Sequence, residues 1–447
     1  METLIMVGNL LLGLSLLVGL HEFGHFAAAK YFKIRVDKFY IFFDFLFPLP
    51  NVLNFALLKK KVGETEYGIG WFPLGGYVAI HGMIDETQDA EALAAEPQPD
   101  EFRAKPAWQR LIVMLGGIIM NVLTGIVVFT LLTFIQGESY LPASEARFGV
   151  VPNGLGREIG FRTGDKIVKI NGRPFTEFDE VRSPDFLLGD NSYYTVERDG
   201  KLLDLNLPSR FMDKLTANGD SLFIAPRLPF VVGRVVAGQP AADAGLKPGD
   251  KLVRIADRPV QYFDELQAAL LAQAGKPTAV GIVRNGQPQT LTVKVTSAGK
   301  MGFEPKPLLH YSTRHYGFVE SIPLGIKNAF GIIAVQAKAI GKIFKGQASA
   351  VDSLGGPVEI AQQYGGQWDW LRFWVLTGSL SMVLAFMNLL PIPALDGGHV
   401  LFLLYEMIAG RKPSDKFLEN AQKVGTLMIM ALMIFVLFKP LIKVFLK

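Results

Sequence analysis

The sequence predicts a polytopic α-helical membrane protein with four transmembrane helices, a membrane-associated β-hairpin and two tandem α+β domains. Half of its 447 residues are hydrophobic, and several apolar runs are long enough to cross a bilayer. A Gly-punctuated, β-rich stretch that repeats itself separates the second run from the third. The net charge of +4 is spread along the chain and predicts no nucleic-acid partner. The chain has no cysteine, which excludes disulfides and thiolate metal ligands.

The first apolar run, residues 4–29, carries the sequence His21-Glu22-Phe23-Gly24-His25 near its end. Ionisable side chains inside a membrane helix are costly and are therefore treated as functional. Positions i and i+4 of a helix share one face, so the two imidazoles can bind one Zn²⁺. Glu22 can reach a metal-bound water as general base. We expect a zinc half-site, with His21 and His25 as ligands and Glu22 as the catalytic residue.

A third ligand must come from elsewhere in the membrane, near the cytoplasmic face. The apolar run that opens at Trp368 is interrupted by Pro391-Ile392-Pro393-Ala394-Leu395-Asp396-Gly397-Gly398 and then resumes. Pro and Gly at this depth free backbone groups, which makes little sense for packing alone. We therefore favour Asp396 over His399, one turn later, and interpret Glu406 as interfacial. Asn388, at the end of the same run, is placed to orient substrate or an oxyanion at the zinc.

Residues 64–80 alternate and are rich in Gly and aromatic residues, which predicts a β-hairpin at the membrane boundary. An exposed strand edge there could pair with an extended peptide. We expect the substrate-binding residues to be Trp71, Gly75, Gly76 and Tyr77. The alternative is a small structural sheet over the cytoplasmic mouth. Residues 39–60 are apolar but broken by prolines, and are predicted to be interfacial or re-entrant.

Residues 139–306 contain two copies of one module. Residues 160–170 match residues 245–255, and the match resumes downstream at the same offset. Each copy reads strand, Gly-Asp turn, strand, Arg-Pro turn and short helix. This order resembles a PDZ domain, a fold that binds peptides by strand addition. The alternative is that the modules are rigid spacers.

Lysines and arginines flank the cytoplasmic ends of the apolar runs, so the positive-inside rule places both termini and the tandem modules outside. Residues 318–345 mix apolar residues with lysines and are predicted to form an amphipathic helix on the outer leaflet. Asn121, a polar residue within the second run, could hydrogen-bond across helices or approach the metal site, and we favour simple packing. The predicted organisation is helix 1 (1–30), a cytoplasmic-side segment with the hairpin (31–106), helix 2 (107–136), two modules (139–220 and 221–306), outer-surface helices (307–367), interrupted helix 3 (368–411) and helix 4 (424–445).

The motif around His21 and the segment from Asn388 to Gly397 resemble the two signatures of the site-2 protease family, and the PDZ-like pair makes the chain similar to its regulator-of-sigma-E branch. The resemblance covers essentially the whole chain. It implies an intramembrane zinc metalloprotease with one zinc ion, active as a monomer in the bacterial inner membrane, with termini and modules in the periplasm. It implies membrane-spanning substrates within the lipid bilayer: an anti-sigma factor trimmed by a first protease during stress, and remnant signal peptides. The hydrophobic insertion at 39–60 departs from the family pattern, so the substrate entrance is expected to differ.

Two other functions fit parts of this pattern. One is a membrane-anchored PDZ scaffold with a structural metal, and the other is a zinc transporter whose intramembrane His and Asp bind a transiting ion. Neither needs a glutamate between the two histidines. Replacing Glu22 therefore separates an enzyme from both alternatives.

Overall fold

The computed structural model describes residues 2–46, 53–73, 75–83, 96–187, 189, 191–208, 211, 214–215, 223–345 and 356–445. The chain divides into two compact units: a membrane unit, Met1–Gly137 with His315–Lys447, and a repeat unit, Glu138–Arg314. In the described part the α-helices are α1 (Glu2–Tyr31), α2 (Ala107–Gln136), α3 (Gly154–Ile159), α4 (Pro184–Leu187), α5 (Pro240–Asp243), α6 (Phe263–Ala272), α7 (Phe318–Phe344), α8 (Pro357–Tyr364), α9 (Trp370–Leu389), α10 (Asp396–Ala409) and α11 (Asp415–Phe445). The strands are β1 (Val36–Ile41), β2 (Ala56–Val62), β3 (Thr65–Gly70), β4 (Tyr77–Ile80), β5 (Glu138–Tyr140), β6 (Val150–Pro152), β7 (Lys166–Ile170), β8 (Tyr193–Arg198), β9 (Lys201–Asn206), β10 (Ile224–Pro226), β11 (Phe230–Val235), β12 (Lys251–Ile255), β13 (Arg258–Pro259), β14 (Pro277–Arg284), β15 (Gln287–Lys294), β16 (Phe303–Pro307) and β17 (Ser312–Arg314).

Four helices of the described chain are long and apolar enough to cross a membrane: α1, α2, α9 and Phe318–Gly341 of α7. The chain is therefore a multi-pass membrane protein, as predicted. The expected fourth span, residues 424–445, belongs to α11, which begins earlier, at Asp415. The side chains of residues 435–445 lie outside the described part.

Helices α1, α2 and α9 of the membrane unit pack through small residues. A Cβ on Gly24 would collide with the backbone of Gly116, and a Cβ on Gly116 would collide with that of Gly24. Helices α1 and α2 therefore touch backbone to backbone, as small residues permit in membranes. Ser381 of α9 donates through Oγ to the backbone carbonyl oxygen of Asn121 in α2 at 2.8 Å. These contacts fix where α1 and α9 lie against α2.

Helix α7 begins on the side of the membrane unit where α2 ends, because the rings of Phe318 and Phe134 meet at 5.7 Å. Helix α9 begins on that same side, because Gly366, just before it, lies against Glu2 at the start of α1. Length and apolar composition make Phe318–Gly341 of α7 a candidate span, so the amphipathic outer-surface helix expected for residues 318–345 stays a prediction.

The break between α9 and α10 is a tight, strained turn held against α11. A Cβ on Gly425 of α11 would collide with the backbone of Pro393. Ala394 has a φ of 79°, in the left-handed region that non-Gly residues seldom occupy. Its N–H donates to Oε1 of Gln422 at 3.2 Å. Helix α10 then begins at Asp396, so the predicted interruption exists and ends on the candidate ligand.

Four strands of the membrane unit form one sheet in the order β2-β3-β1-β4. Strand β1 is parallel to β3 and antiparallel to β4, while β2 is antiparallel to β3. The predicted hairpin of residues 64–80 is therefore wrong, because β3 and β4 lie on opposite sides of β1. The stretch 39–60 contributes to β1 and β2 and is not merely interfacial; residues 47–52 of it lie outside the described part. Alternation identifies a strand but not its partner, and an apolar run also suits a buried strand.

The repeat unit contains two hydrophobic cores whose elements follow the same order. In the first, β6 pairs with β10, and α3 and the sheet β7-β8-β9 lie between these two strands in the sequence. In the second, β11 pairs with β16, and α5, α6 and the sheet β13-β12-β14-β15 lie between these two strands in the sequence. Because β10 pairs with β6, residues 224–226 belong to the first core. The boundary predicted after residue 220 therefore falls too early.

Corresponding residues of the two copies make the same hydrogen bonds. The Asp165 carboxylate accepts from the guanidinium of Arg198 and from a backbone N–H three residues earlier. Asp250 accepts in the same way from the guanidinium of Arg284 and from the backbone N–H of Lys247. Burial alone would raise the pKa of Asp250, but these bonds hold it below its usual value. The sequence repeat thus corresponds to a repeated buried ion pair.

Candidate metal centre

The three residues predicted as metal ligands meet at one point in the membrane unit. The Nε2 atoms of His21 and His25 are 3.3 Å apart. Oδ2 of Asp396 lies 3.3 Å from Nε2 of His21 and 3.4 Å from Nε2 of His25. Helix α1 supplies the two histidines one turn apart, and the strained turn before α10 supplies the carboxylate. The structure therefore brings together residues that are separated by more than 370 positions in the sequence.

This triangle of donor atoms fits a zinc ion. Zn²⁺ bound tetrahedrally by nitrogen and oxygen at about 2.0 Å holds its ligand atoms about 3.3 Å apart. Oδ2 of Asp396 is buried and has no hydrogen-bond partner among the described residues, so it is not engaged elsewhere. Three protein ligands leave the fourth position for water or substrate, as catalytic zinc sites do.

Helix α2 lines the back of the triangle. Nδ1 of His25 lies 2.8 Å from the carbonyl oxygen of Val113, a contact that directs Nε2 towards the other ligands. Nδ1 of His21 lies 3.1 Å from Nδ2 of Asn121. Between them, a Cβ on Gly117 would collide with both imidazoles. The packing role favoured for Asn121 is therefore incomplete, because the alternative approach to the metal site is the contact that the structure shows. The part played by Gly117 was not predicted.

Glu22 lies on the wall of a cavity of about 480 Å³ that contains the ligand cluster. Its carboxylate faces the backbone N–H of Val78 in β4. Three of the predicted substrate-binding residues, Gly75, Gly76 and Tyr77, line the same cavity. Among the described strands, β4 is at one edge of its sheet, and its residues Tyr77, Val78 and Ile80 line the cavity of the metal centre.

The other two predicted substrate residues lie in different places. Asn388 lines the cavity, with Nδ2 3.3 Å from Nε2 of His21. Trp71 does not line it, because its ring stacks on Phe55 with centroids 5.5 Å apart. The structure therefore brings Asn388 to the metal centre and leaves Trp71 away from it.

The two rival candidates for the third ligand, His399 and Glu406, do not join the cluster of donor atoms. His399 lines the cavity but stands outside the cluster of converging donor atoms. Glu406 forms an ion pair with Arg110 at 2.6 Å, with both side chains largely buried. Asp396 is thus the carboxylate that completes the site.

A multi-pass membrane unit whose helix presents two histidines and a glutamate to a distant aspartate defines the class of membrane-embedded metallopeptidases. The chain belongs to peptidase family M50, whose model matches residues 9–432. It is similar along its length to the regulator of sigma-E protease RseP of Salmonella typhimurium (strain 14028s / SGSC 2262), with 29% identity over 96% of both chains. The protein of that name from Escherichia coli (strain K12) is 29% identical over 97% of both chains. The regulator of sigma E protease of Haemophilus influenzae is 26% identical over 98% of both. The family resemblance seen in the two motifs is thereby confirmed.

Proposed function

We propose that the chain is a zinc-dependent intramembrane endopeptidase that cleaves a peptide bond within the transmembrane segment of single-span proteins. The observation that carries this proposal is that Glu22 lines the same cavity as the ligand cluster and strand β4. A structural zinc site is closed by four protein ligands. Here three donors converge beside a cavity, and a further carboxylate lines that cavity.

The depth of the site supports cleavage inside the membrane. At about 1.5 Å per residue, His21 lies roughly 29 Å along α1 from Glu2, in a hydrocarbon core about 30 Å thick. Lys30, Lys33 and Arg35 follow directly, which by the positive-inside rule marks the cytoplasmic side. The metal centre would then lie near the cytoplasmic face, where water has a short path to it.

The sheet offers one edge suited to a substrate. A transmembrane helix satisfies its own backbone groups, so its scissile segment must unwind and find new partners. Strand β4 is an edge strand of the described sheet and lines the cavity with Glu22, so an extended peptide could pair with it near Val78. The opposite edge, β2, carries the exposed run Lys59-Lys60-Lys61, and lysines on an edge discourage strand addition. The other edge strand of the described sheet, β4, is the one that lines the metal centre.

The roles of the individual residues follow from this placement. When bound, zinc polarises the scissile carbonyl and makes its water a stronger acid. Glu22 takes the proton of the attacking water and returns it to the leaving amine. The Asn388 amide, close to His21, donates to the carbonyl oxygen as negative charge develops. The edge of β4 beside Glu22 would hold the substrate extended.

The names of two relatives describe them as regulators of sigma-E, which fits the substrate class that we propose. We propose an anti-sigma factor trimmed by a first protease as one substrate, and remnant signal peptides as another. The protein would act as a monomer in the bacterial inner membrane, with both termini in the periplasm. The two copies of the repeat unit would be PDZ domains on that side, where they exclude substrates with bulky outer domains.

The test uses the purified full-length protein in lipid vesicles with a single-span substrate. We expect cleavage within the substrate's transmembrane segment, loss of cleavage when a chelator removes zinc, and recovery when zinc is restored. Glu22→Gln should keep its zinc and lose cleavage, whereas a scaffold or a transporter would be little affected. Undiminished cleavage by Glu22→Gln, or in protein shown to be zinc-free, would overturn the proposal.

A further inference from the structure

Asn121 is fully buried in α2 and contacts a metal ligand from the side away from the metal. Its Nδ2 lies 3.1 Å from Nδ1 of His21, while its Oδ1 has no hydrogen-bond partner among the described residues. Its backbone oxygen accepts from Ser381, which ties this part of α2 to α9. A buried amide whose acceptor is unused, beside a ligand imidazole, calls for a chemical explanation.

The imidazole of His21 determines which end of the amide must face it. Nε2 of His21 points at the other two donor atoms, so in a neutral ring that binds zinc the proton sits on Nδ1. Nδ1 is then a donor, and a donor cannot bond to the amide nitrogen of Asn121. Turning the terminal amide by 180° exchanges its oxygen and nitrogen with almost no change of shape. Oδ1 then accepts from the Nδ1–H of His21.

Helix α2 supports both histidines in the same manner. Val113, Gly117 and Asn121 are spaced by four residues and share one face of the helix. The carbonyl of Val113 faces Nδ1 of His25, and the absent side chain of Gly117 makes room for both rings. A carbonyl oxygen at one end of this face and an amide oxygen at the other would fix the two tautomers together.

We propose that Asn121 is a positioning residue of the metal centre, which accepts a hydrogen bond from Nδ1–H of His21 and so directs Nε2 to the metal. This inference rests on the proposed function, because it requires His21 to bind zinc. It assigns no contact between Asn121 and substrate.

The experiment compares zinc affinity of the full-length protein by competition with a chromogenic chelator. Asn121→Leu keeps the size of the side chain but removes the acceptor, and should weaken zinc binding about 10- to 100-fold, the usual effect of losing an outer partner of a ligand histidine. Asn121→Asp keeps the acceptor and should bind zinc within a few fold of the unmodified protein. Thr124→Val is the matched control, since that hydroxyl bonds only within α2, to Met120, and zinc affinity should not change.

The outcomes separate this inference from the proposed function. If the unmodified protein binds no zinc, the proposed function fails. If it binds zinc and Asn121→Leu binds equally tightly, only the positioning role fails. Equal losses in Asn121→Leu and Asn121→Asp would show that Asn121 serves packing and overturn the role of its oxygen. Thermal unfolding of each variant, measured without zinc, distinguishes a weakened site from a damaged fold.

Discussion

The backbone N–H of Val78 faces the carboxylate of Glu22 across the wall of the metal cavity. Val78 lies in β4 opposite Phe39 of β1, and neighbouring residues of an antiparallel pair turn their backbone groups to opposite sides. The N–H of Val78 therefore points away from β1, and that of Ala79 points towards it. In β4, the N–H of Ala79 thus points towards the sheet and the N–H of Val78 towards the candidate active site.

Val78→Pro should lower cleavage without unfolding the sheet. The substitution removes an N–H that β1 does not use, and proline is tolerated on edge strands. Loss of the one hydrogen bond that this N–H can donate, to Glu22 or to substrate, is worth about 1 kcal/mol and predicts a fall of about fivefold in kcat/KM. The measurement is cleavage of a single-span substrate, together with zinc content, which should not change.

Two neighbouring variants control this prediction. Val78→Ala keeps the N–H and should cleave nearly as well as the unmodified protein. Ala79→Pro removes an N–H directed at β1, so it should lower the thermal stability of the sheet. If Val78→Pro and Val78→Ala cleave equally well, the substrate does not pair with this edge.

Gly117→Ala should abolish tight zinc binding. The added methyl group would collide with the imidazoles of both His21 and His25, which are held by their other contacts. We expect zinc affinity to fall at least about tenfold, the scale of other changes around metal ligands. Gly125→Ala is the matched variant on the same helix, because its methyl group would collide with the flexible side chain of Met382 and with no residue of the metal centre. Similar zinc affinities for the two variants would show that the site tolerates displacement of its ligands.

The ligand set could be predicted because each part leaves a mark in the sequence. Two histidines at helical spacing inside an apolar run are visible without a structure, and so is a Pro-Gly interruption before Asp396. The order of the strands could not be predicted, since alternation in β3 and β4 does not reveal that β1 lies between them. The contacts of α2 with the two histidines could not be predicted from the sequence either. Gly117 makes room for the imidazoles by having no side chain, and Asn121 meets His21 only once α1 packs against α2.

Arg284→Gln should destabilise the second copy of the repeat unit in a pH-dependent way. It leaves the Asp250 carboxylate, whose side chain is 1% exposed, without its guanidinium partner, and an uncompensated buried charge is destabilising. Because the folded-state pKa of Asp250 lies below its unfolded value, the pair stabilises fully above about pH 4 and less as pH falls through the folded pKa. The penalty should therefore be largest at neutral pH and shrink in acid.

The measurement is limited proteolysis of the full-length protein at neutral and acidic pH. Cuts should appear within the second copy, residues 227–307, in Arg284→Gln. Arg198→Gln breaks the corresponding pair with Asp165 and should expose the first copy instead. A penalty for Arg284→Gln that is as large in acid as at neutral pH would contradict the role assigned to the charged pair.

Excising the repeat unit should relax selectivity while leaving catalysis intact. The unit begins and ends on paired strands: β5 is antiparallel to β17, with Glu138 opposite Arg314. Paired residues lie only about 5 Å apart, so a short Gly/Ser linker can replace residues 141–311 without stretching the membrane unit. If the repeat unit excludes substrates with bulky outer domains, the excised protein should cleave an untrimmed single-span substrate that the intact protein leaves whole.

A trimmed substrate should be cleaved at similar rates by both, and Glu22→Gln in the excised protein should cleave neither. If the excised protein cleaves the trimmed substrate but still does not cleave the untrimmed one, the membrane unit itself selects between them.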